Sequence, residues 1–151
     1  VAHESKNIRF ENRKAHFDYF FIDRYVAGLV LKGSEIKAIR EGKVSFNDAY
    51  VYNKNGELFV KNLYIGEYSN ASFSSHAPLR ERKLLLNKSE IRKIIRELQT
   101  KGVTVVPVVL FINNKGLAKM EIAVAKGKKA YDKRESIKRA DVERQEGRKF
   151  K

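Results

Sequence analysis

The sequence predicts a mainly β fold with some α: a small antiparallel barrel of about six short strands, two or three flanking helices and a basic C-terminal tail. Three observations carry this. Runs rich in β-branched and aromatic residues recur along the chain, with turn residues between them. One segment, 88–100, has the capping residues and apolar spacing of an amphipathic helix. The last stretch, 131–151, holds eight Lys/Arg and five Asp/Glu, with only Ile137, Ala140, Val142 and Phe150 as apolar side chains near any face. That stripe is too thin to dock on a core, and an isolated helix of this length is marginal in water.

Residues 1–11 are polar and aperiodic and read as a loose lead-in. Phe17 to Leu31 is dense in strand formers. Ala27-Gly28 interrupts it and suggests a bulge or sharp bend, as in a long strand that closes a barrel. Ser34 can cap a short helix through Glu41, with Ile36 and Ile39 inward and Gly42 ending it. Tyr50-Val51-Tyr52 and Leu58-Phe59-Val60 flank Asn55-Gly56, the pair best suited to a tight hairpin turn. Leu63-Tyr64-Ile65 reads as another short strand and 69–75 as a loop. Asn87 and Glu90 form a capping box, Leu86 and Ile91 have staple spacing, and Ile91, Ile94, Ile95 and Leu98 share one face. Val103 to Ile112 is a buried strand in which Pro107 marks a bulge or an edge. After a turn at 113–116, Ala118 to Ala125 alternates, with Met120, Ile122 and Val124 on one face and Lys119, Glu121 and Ala123 on the other. This order suits an OB-like barrel over residues 12–130, with a sandwich as the alternative. The tail, 131–151, is expected to be mobile when free and helical when bound.

The 151 residues carry a formal net charge of +14, unevenly placed. Residues 1–75 hold 11 Lys/Arg against 9 Asp/Glu; residues 76–151 hold 21 against 9. A near-neutral half joined to a strongly basic half points to a polyanion, nucleic acid first. There is no cysteine, which excludes disulfides and thiolate chemistry and fits a reducing interior; the expected location is the cytoplasm. No run is long and apolar enough to span a bilayer. His3, His16 and His76 lack metal-ligand spacing, no nucleotide-binding or nucleophile motif is present, and no cofactor is expected. Two cationic groups stand out. Arg80, Arg82 and Lys83 precede Leu84-Leu85-Leu86, and Lys126 to Arg134 holds five cations, Gly127 and Tyr131. Tyr131, Tyr68 and Phe73 are candidates to stack on bases. These residues leave three readings open: an RNA-binding adaptor, a ribosomal structural protein, or a nuclease using acids such as Glu35, Glu41 and Asp48.

A series of motifs narrows the choice. Asn12-Arg13-Lys14-Ala15, Ala27-Gly28, Leu31 to Lys37, Arg40-Glu41-Gly42, Arg82 to Leu86, Ala125 to Lys129 and Asp132-Lys133-Arg134 occur in the order found in SmpB, small protein B, and the chain resembles that family. The resemblance implies an oligonucleotide-binding-type barrel without enzymatic activity, expected to be a monomer. It would bind the tRNA-like domain of transfer-messenger RNA (tmRNA, or SsrA RNA) and, with elongation factor Tu on the alanylated RNA, serve ribosomes stalled on truncated messages. It also implies that Leu85 and Lys119 contact tmRNA. Asn12, Arg13, Lys14, Arg82, Lys83, Lys126, Lys128 and Lys129 would add RNA contacts. Tyr131, Asp132, Lys133 and Arg134 would act in the decoding centre and the empty mRNA channel. Two positions depart from the pattern. Val26 stands where the family usually has a glutamate implicated in RNA binding, and His16-Phe17 stands where it usually has Arg-His. The glutamate's role does not carry over to valine.

Overall fold

A computed structural model describes residues 8–68 and 76–128. The three longest strand-forming runs supply its frame. β2 (Tyr19–Leu29), β8 (Val103–Ile112) and β9 (Ala118–Gly127) lie side by side, with β9 in the middle. β7 (Arg82–Leu85) pairs with the other edge of β2, and the hairpin of β4 (Tyr50–Lys54) and β5 (Glu57–Lys61) continues the sheet from β7. β4 then meets β8 at one registered pair, Val51–Val105, so the antiparallel sheet closes into a ring. β1 (Arg9–Glu11) pairs with β8 through Val109 to Phe111, and β3 (Val44–Ser45) pairs with β6 (Tyr64–Ile65) in a separate two-stranded sheet. The mainly β architecture and the three helices match the sequence expectation, with one difference at the start: Arg9–Glu11, expected as lead-in, is a ladder strand.

Period-two alternation fills the ring. Val51, Leu58, Val60, Leu84, Val105, Leu110, Met120 and Ile122 are buried together inside it. Two bulges adjust which residues point inward. One falls between Pro107 and Val109, where the proline cannot donate to the ladder. The other falls between Phe21 and Asp23, not at Ala27-Gly28 as the composition suggested. Gly28 keeps full register with both neighbouring strands. The bulge changes the parity of β2, so that Phe21 packs on the outside of the sheet with Ala15, Val106 and Ala125 while Tyr25, Ala27 and Leu29 enter the core.

The helices follow local signals. Asn12 caps α1 (Arg13–Asp18): its Oδ1 accepts from the Ala15 N–H at 3.2 Å, and its Nδ2 donates to the Pro107 carbonyl at 2.8 Å. α2 (Gly33–Arg40) has Lys32 at its N-cap, a correction to the expected Ser34. Glu35 reaches back to accept from the Lys32 N–H at 2.7 Å, which satisfies the N-cap amide, and Ser34 Oγ instead meets His76 Nδ1 at 2.9 Å. α3 (Lys88–Leu98) begins at the expected box, with Asn87 N–H donating to Glu90 Oε1 at 3.2 Å. Ile94 is buried, and Ile91, Ile95 and Leu98 pack beside it on the core. In the hairpin, Asn55 and Gly56 take φ of +54° and +82°, the positive values a two-residue turn demands.

Candidate nucleic-acid interface

Lys119, Leu85 and Gly28 come together because three strands are in register. Lys119 on β9 lies opposite Gly28 on β2, and Gly28 lies opposite Leu85 on β7. Cross-strand partners project from one face, so these residues form a row on the outside of the ring. Phe111 on β8 and Arg9 on β1 extend the row beyond Lys119. Gly28 lets the Leu85 side chain lean across the centre of the row: a Cβ built there would stand 3.4 Å from the Leu85 Cβ and 3.7 Å from its Cδ1. Leu85 is half exposed, and Lys119 makes no ion pair among the described residues. The result is a cation and an apolar surface on strands roughly 10 Å apart, two strand spacings, with only a glycine between them. That geometry suits a phosphate at one end and a base face at the other.

Val26 belongs to the same face, 56% exposed and opposite Glu121. Its neighbour on that face, Arg24, donates to Glu121 Oε2 at 3.1 Å and lies 5.0 Å over the Phe21 ring. Arg24 thus offsets the Glu121 carboxylate beside Val26. Gly28 and Arg24 were missed as site residues. A strand glycine signals close approach of something, but only register shows that the neighbour is Leu85.

A second basic group forms where β9 leaves the ring. Lys128 Nζ donates to the His16 carbonyl at 3.0 Å and lies 5.3 Å over Phe20, which ties the exit to α1. Arg13 and Lys14 are exposed on that helix, and Phe17 beside them is 81% exposed. Lys14 is partly committed: Asp48 Oδ1 accepts from it at 3.0 Å, and this bond and the Asp48 charge hold the ammonium above its ordinary value. Lys126 is half-buried at the end of β9, opposite Phe20. Tyr68, a stacking candidate, lies under Lys37 Nζ at 5.3 Å. Lys129, Tyr131, Asp132, Lys133, Arg134 and Phe73, and the tail expected to be helical when bound, lie outside the described residues.

Two expected RNA contacts are internal instead. Asn12 is the buried cap of α1. Arg82 is fully buried, and its Nε donates to Glu35 Oε2 at 2.7 Å and its Nη1 to the Leu63 carbonyl at 2.5 Å. Strand alternation turns it inward, and Lys83 outward to Glu57 at 2.6 Å. Arg80 completes the cluster, donating to Glu35 at 2.6 and 3.2 Å. Burial alone would raise the Glu35 carboxyl; hydrogen bonds from Arg80, the Lys32 N–H and Arg82, with the Arg82 charge, outweigh it and hold the group below the usual carboxylate range. Burial lowers the Arg82 guanidinium, opposed by Glu35. Glu35 is therefore an acceptor committed to two arginines, unsuited to the metal or proton chemistry of the nuclease reading. Among the described residues no group of three or more His, Cys, Asp or Glu gathers as a metal site.

A closed antiparallel ring with a cationic and apolar outer row, and more cations at its exit, defines a small basic nucleic-acid-binding protein. The sequence model of the family described as SmpB protein matches residues 9–151. The chain is 56% identical to an SsrA-binding protein of Phocaeicola vulgatus over 144 residues, covering 95% of this chain and 96% of that one. It is 54% identical to an SsrA-binding protein of Anaplasma marginale over 138 residues, covering 91% and 93%. A solved chain described as "tmRNA-SmpB: a journey to the center of the bacterial ribosome" superposes with a TM-score of 0.69 at 42% identity, covering 80% of this chain and 84% of that one. The chain belongs to the SmpB family.

Proposed function

We propose that this protein binds SsrA RNA (tmRNA) by its tRNA-like domain and serves trans-translation by bringing it to ribosomes stalled on truncated messages. The observation that carries this is the outer row in which Lys119, Gly28 and Leu85 stand side by side. The relatives named SsrA-binding proteins and the solved tmRNA-SmpB chain support it. In this reading the protein positions RNA and catalyses no step. Val26 supplies apolar contact at the edge of the row where the family usually has an acid. Residues 131–151 act as a basic arm for the decoding centre and empty mRNA channel, and elongation factor Tu meets the complex through the alanylated RNA. The place of action is the cytoplasm, where the ribosomes are.

The test is a titration against the tRNA-like domain with ordinary transfer RNA as competitor at physiological salt. Preference for the tRNA-like domain by about a hundredfold, near 2.7 kcal/mol, is expected. Lys119→Ala should weaken binding and lower the log–log salt slope by roughly 0.7 to 0.9. Equal binding to both RNAs would reduce the protein to a general RNA binder, and an unchanged slope would remove Lys119 from the interface.

A further inference from the structure

The ring order β8–β4–β5–β7–β2–β9 sets the β4–β5 hairpin across the ring from β2 and β9. Val51, Leu58 and Val60 of the hairpin enter the core, so Tyr50, Tyr52 and Lys54 share the outer face with Phe59 and Lys61. The rings make a continuous run, with centroids 6.2 Å apart from Tyr50 to Tyr52 and 6.2 Å from Tyr52 to Phe59. Lys61 Nζ lies 5.9 Å over Tyr52 and Lys54 Nζ 5.7 Å over Phe59. Neither lysine is in an ion pair among the described residues. The nearby acids are engaged elsewhere: Glu57 accepts from Lys83 and Glu81 from the Tyr52 hydroxyl, which also fixes that ring. Past the single Val51–Val105 pair, β4 and β8 part, and a cleft of about 380 Å³ opens between them and α3. Tyr50 and Tyr52 wall it, Leu98 gives an apolar surface, and Asn53, Gln99 and Thr104 offer donors and acceptors.

We propose that this hairpin face is a second RNA site, for an unpaired segment, separate from the Lys119–Leu85 row. One base enters the cleft, where the amides and the hydroxyl can meet its edge. Its neighbours stack on Tyr52 and Phe59, and Lys54 and Lys61 swing from the rings to the phosphates. The segment is single-stranded because stacking on side chains needs base faces that a duplex hides. The uncommitted lysines select a polyanion over a neutral or basic partner.

The test is titration of the full chain with a fluorescent, unstructured ten-nucleotide oligoadenylate, alone and after saturation with the tRNA-like domain. The oligonucleotide should bind equally in both states. K54Q/K61Q should weaken it and flatten its salt slope by about 1.4, two single-strand phosphate contacts. Phe59→Leu should weaken it about tenfold while the melting curve and the affinity for the tRNA-like domain stay unchanged. Displacement by the tRNA-like domain, parental binding by these variants, or equal binding of a polyglutamate peptide would each overturn the proposal. In the chain alone, the loss of oligonucleotide affinity in K54Q/K61Q and Phe59→Leu reads this site whether or not the tRNA-like domain binds the opposite face.

Discussion

Arg82 and Lys83 are neighbours on β7 and carry the same charge, yet one holds the fold and the other faces solvent. Arg82 binds Glu35, the Leu63 carbonyl and, at 3.2 Å, the Pro78 carbonyl, so one guanidinium joins α2, the end of β5's connection and the turn before β7. The Lys83 ammonium donates to Glu57 at the rim. A guanidinium's planar fork can satisfy several acceptors at once inside a protein, whereas an ammonium is strongly hydrated and stays wet. The count of cations along a chain therefore overstates the number offered to RNA, and strand parity tells which to subtract.

The largest effect on stability is expected from Arg82→Met. It strands Glu35 in the core with Arg80 alone, and loss of a buried partner costs about 3–5 kcal/mol. Urea unfolding should show a fall of that order, with much of it recovered in the Arg82→Met/Glu35→Met pair. A loss below about 1 kcal/mol would place Arg82 with ordinary surface cations. The next effect is acid sensitivity. The folded Glu35 carboxyl lies below its ordinary value of 4.5, so its contribution is complete above that value and disappears as pH falls toward the folded value. Melting temperatures taken from roughly pH 6 to pH 3 should fall, with a shallower fall in Glu35→Gln. An identical slope in the two proteins would mean that other carboxylates govern the acid limb. The smallest stability effect belongs to the outer face. Lys83→Ser and Leu85→Ala should each change the unfolding free energy by less than about 1 kcal/mol, while Leu85→Ala weakens RNA binding. A large stability loss from Lys83→Ser would erase the contrast.

Much of the fold was legible because its signals are local. The Asn87–Glu90 box, the Asn55-Gly56 turn and the β-branched run with Pro107 each act within a few residues, and each marked its element. The bulge in β2 was not legible, since Gly28 is a more obvious breaker than Ile22, and only pairing with β9 shows where the ladder slips. The site divides in the same way. Lys119 was read correctly onto the polar face of an alternating strand, and the resemblance to the family pointed to Leu85. That the two flank Gly28 depends on long-range register. Arg82 was misplaced because β7 is only four residues long and its inward positions, Arg82 and Leu84, do not look alike. Its partner Glu35 stands 47 residues away, beyond the reach of any spacing rule.

β1 and β9 are both antiparallel to β8, and so run parallel to each other. Arg9 is level with Phe111, near one end of β8, and Lys126 is level with Val103 at the other. Tension applied between residues 8 and 128 is therefore directed along the strands. It drags β1 and β9 past β8 in shear, so the cross-strand bonds share the load and do not peel one by one. For a protein whose far end is proposed to lie in a channel, a pull between that end and β1 would load the strands lengthwise.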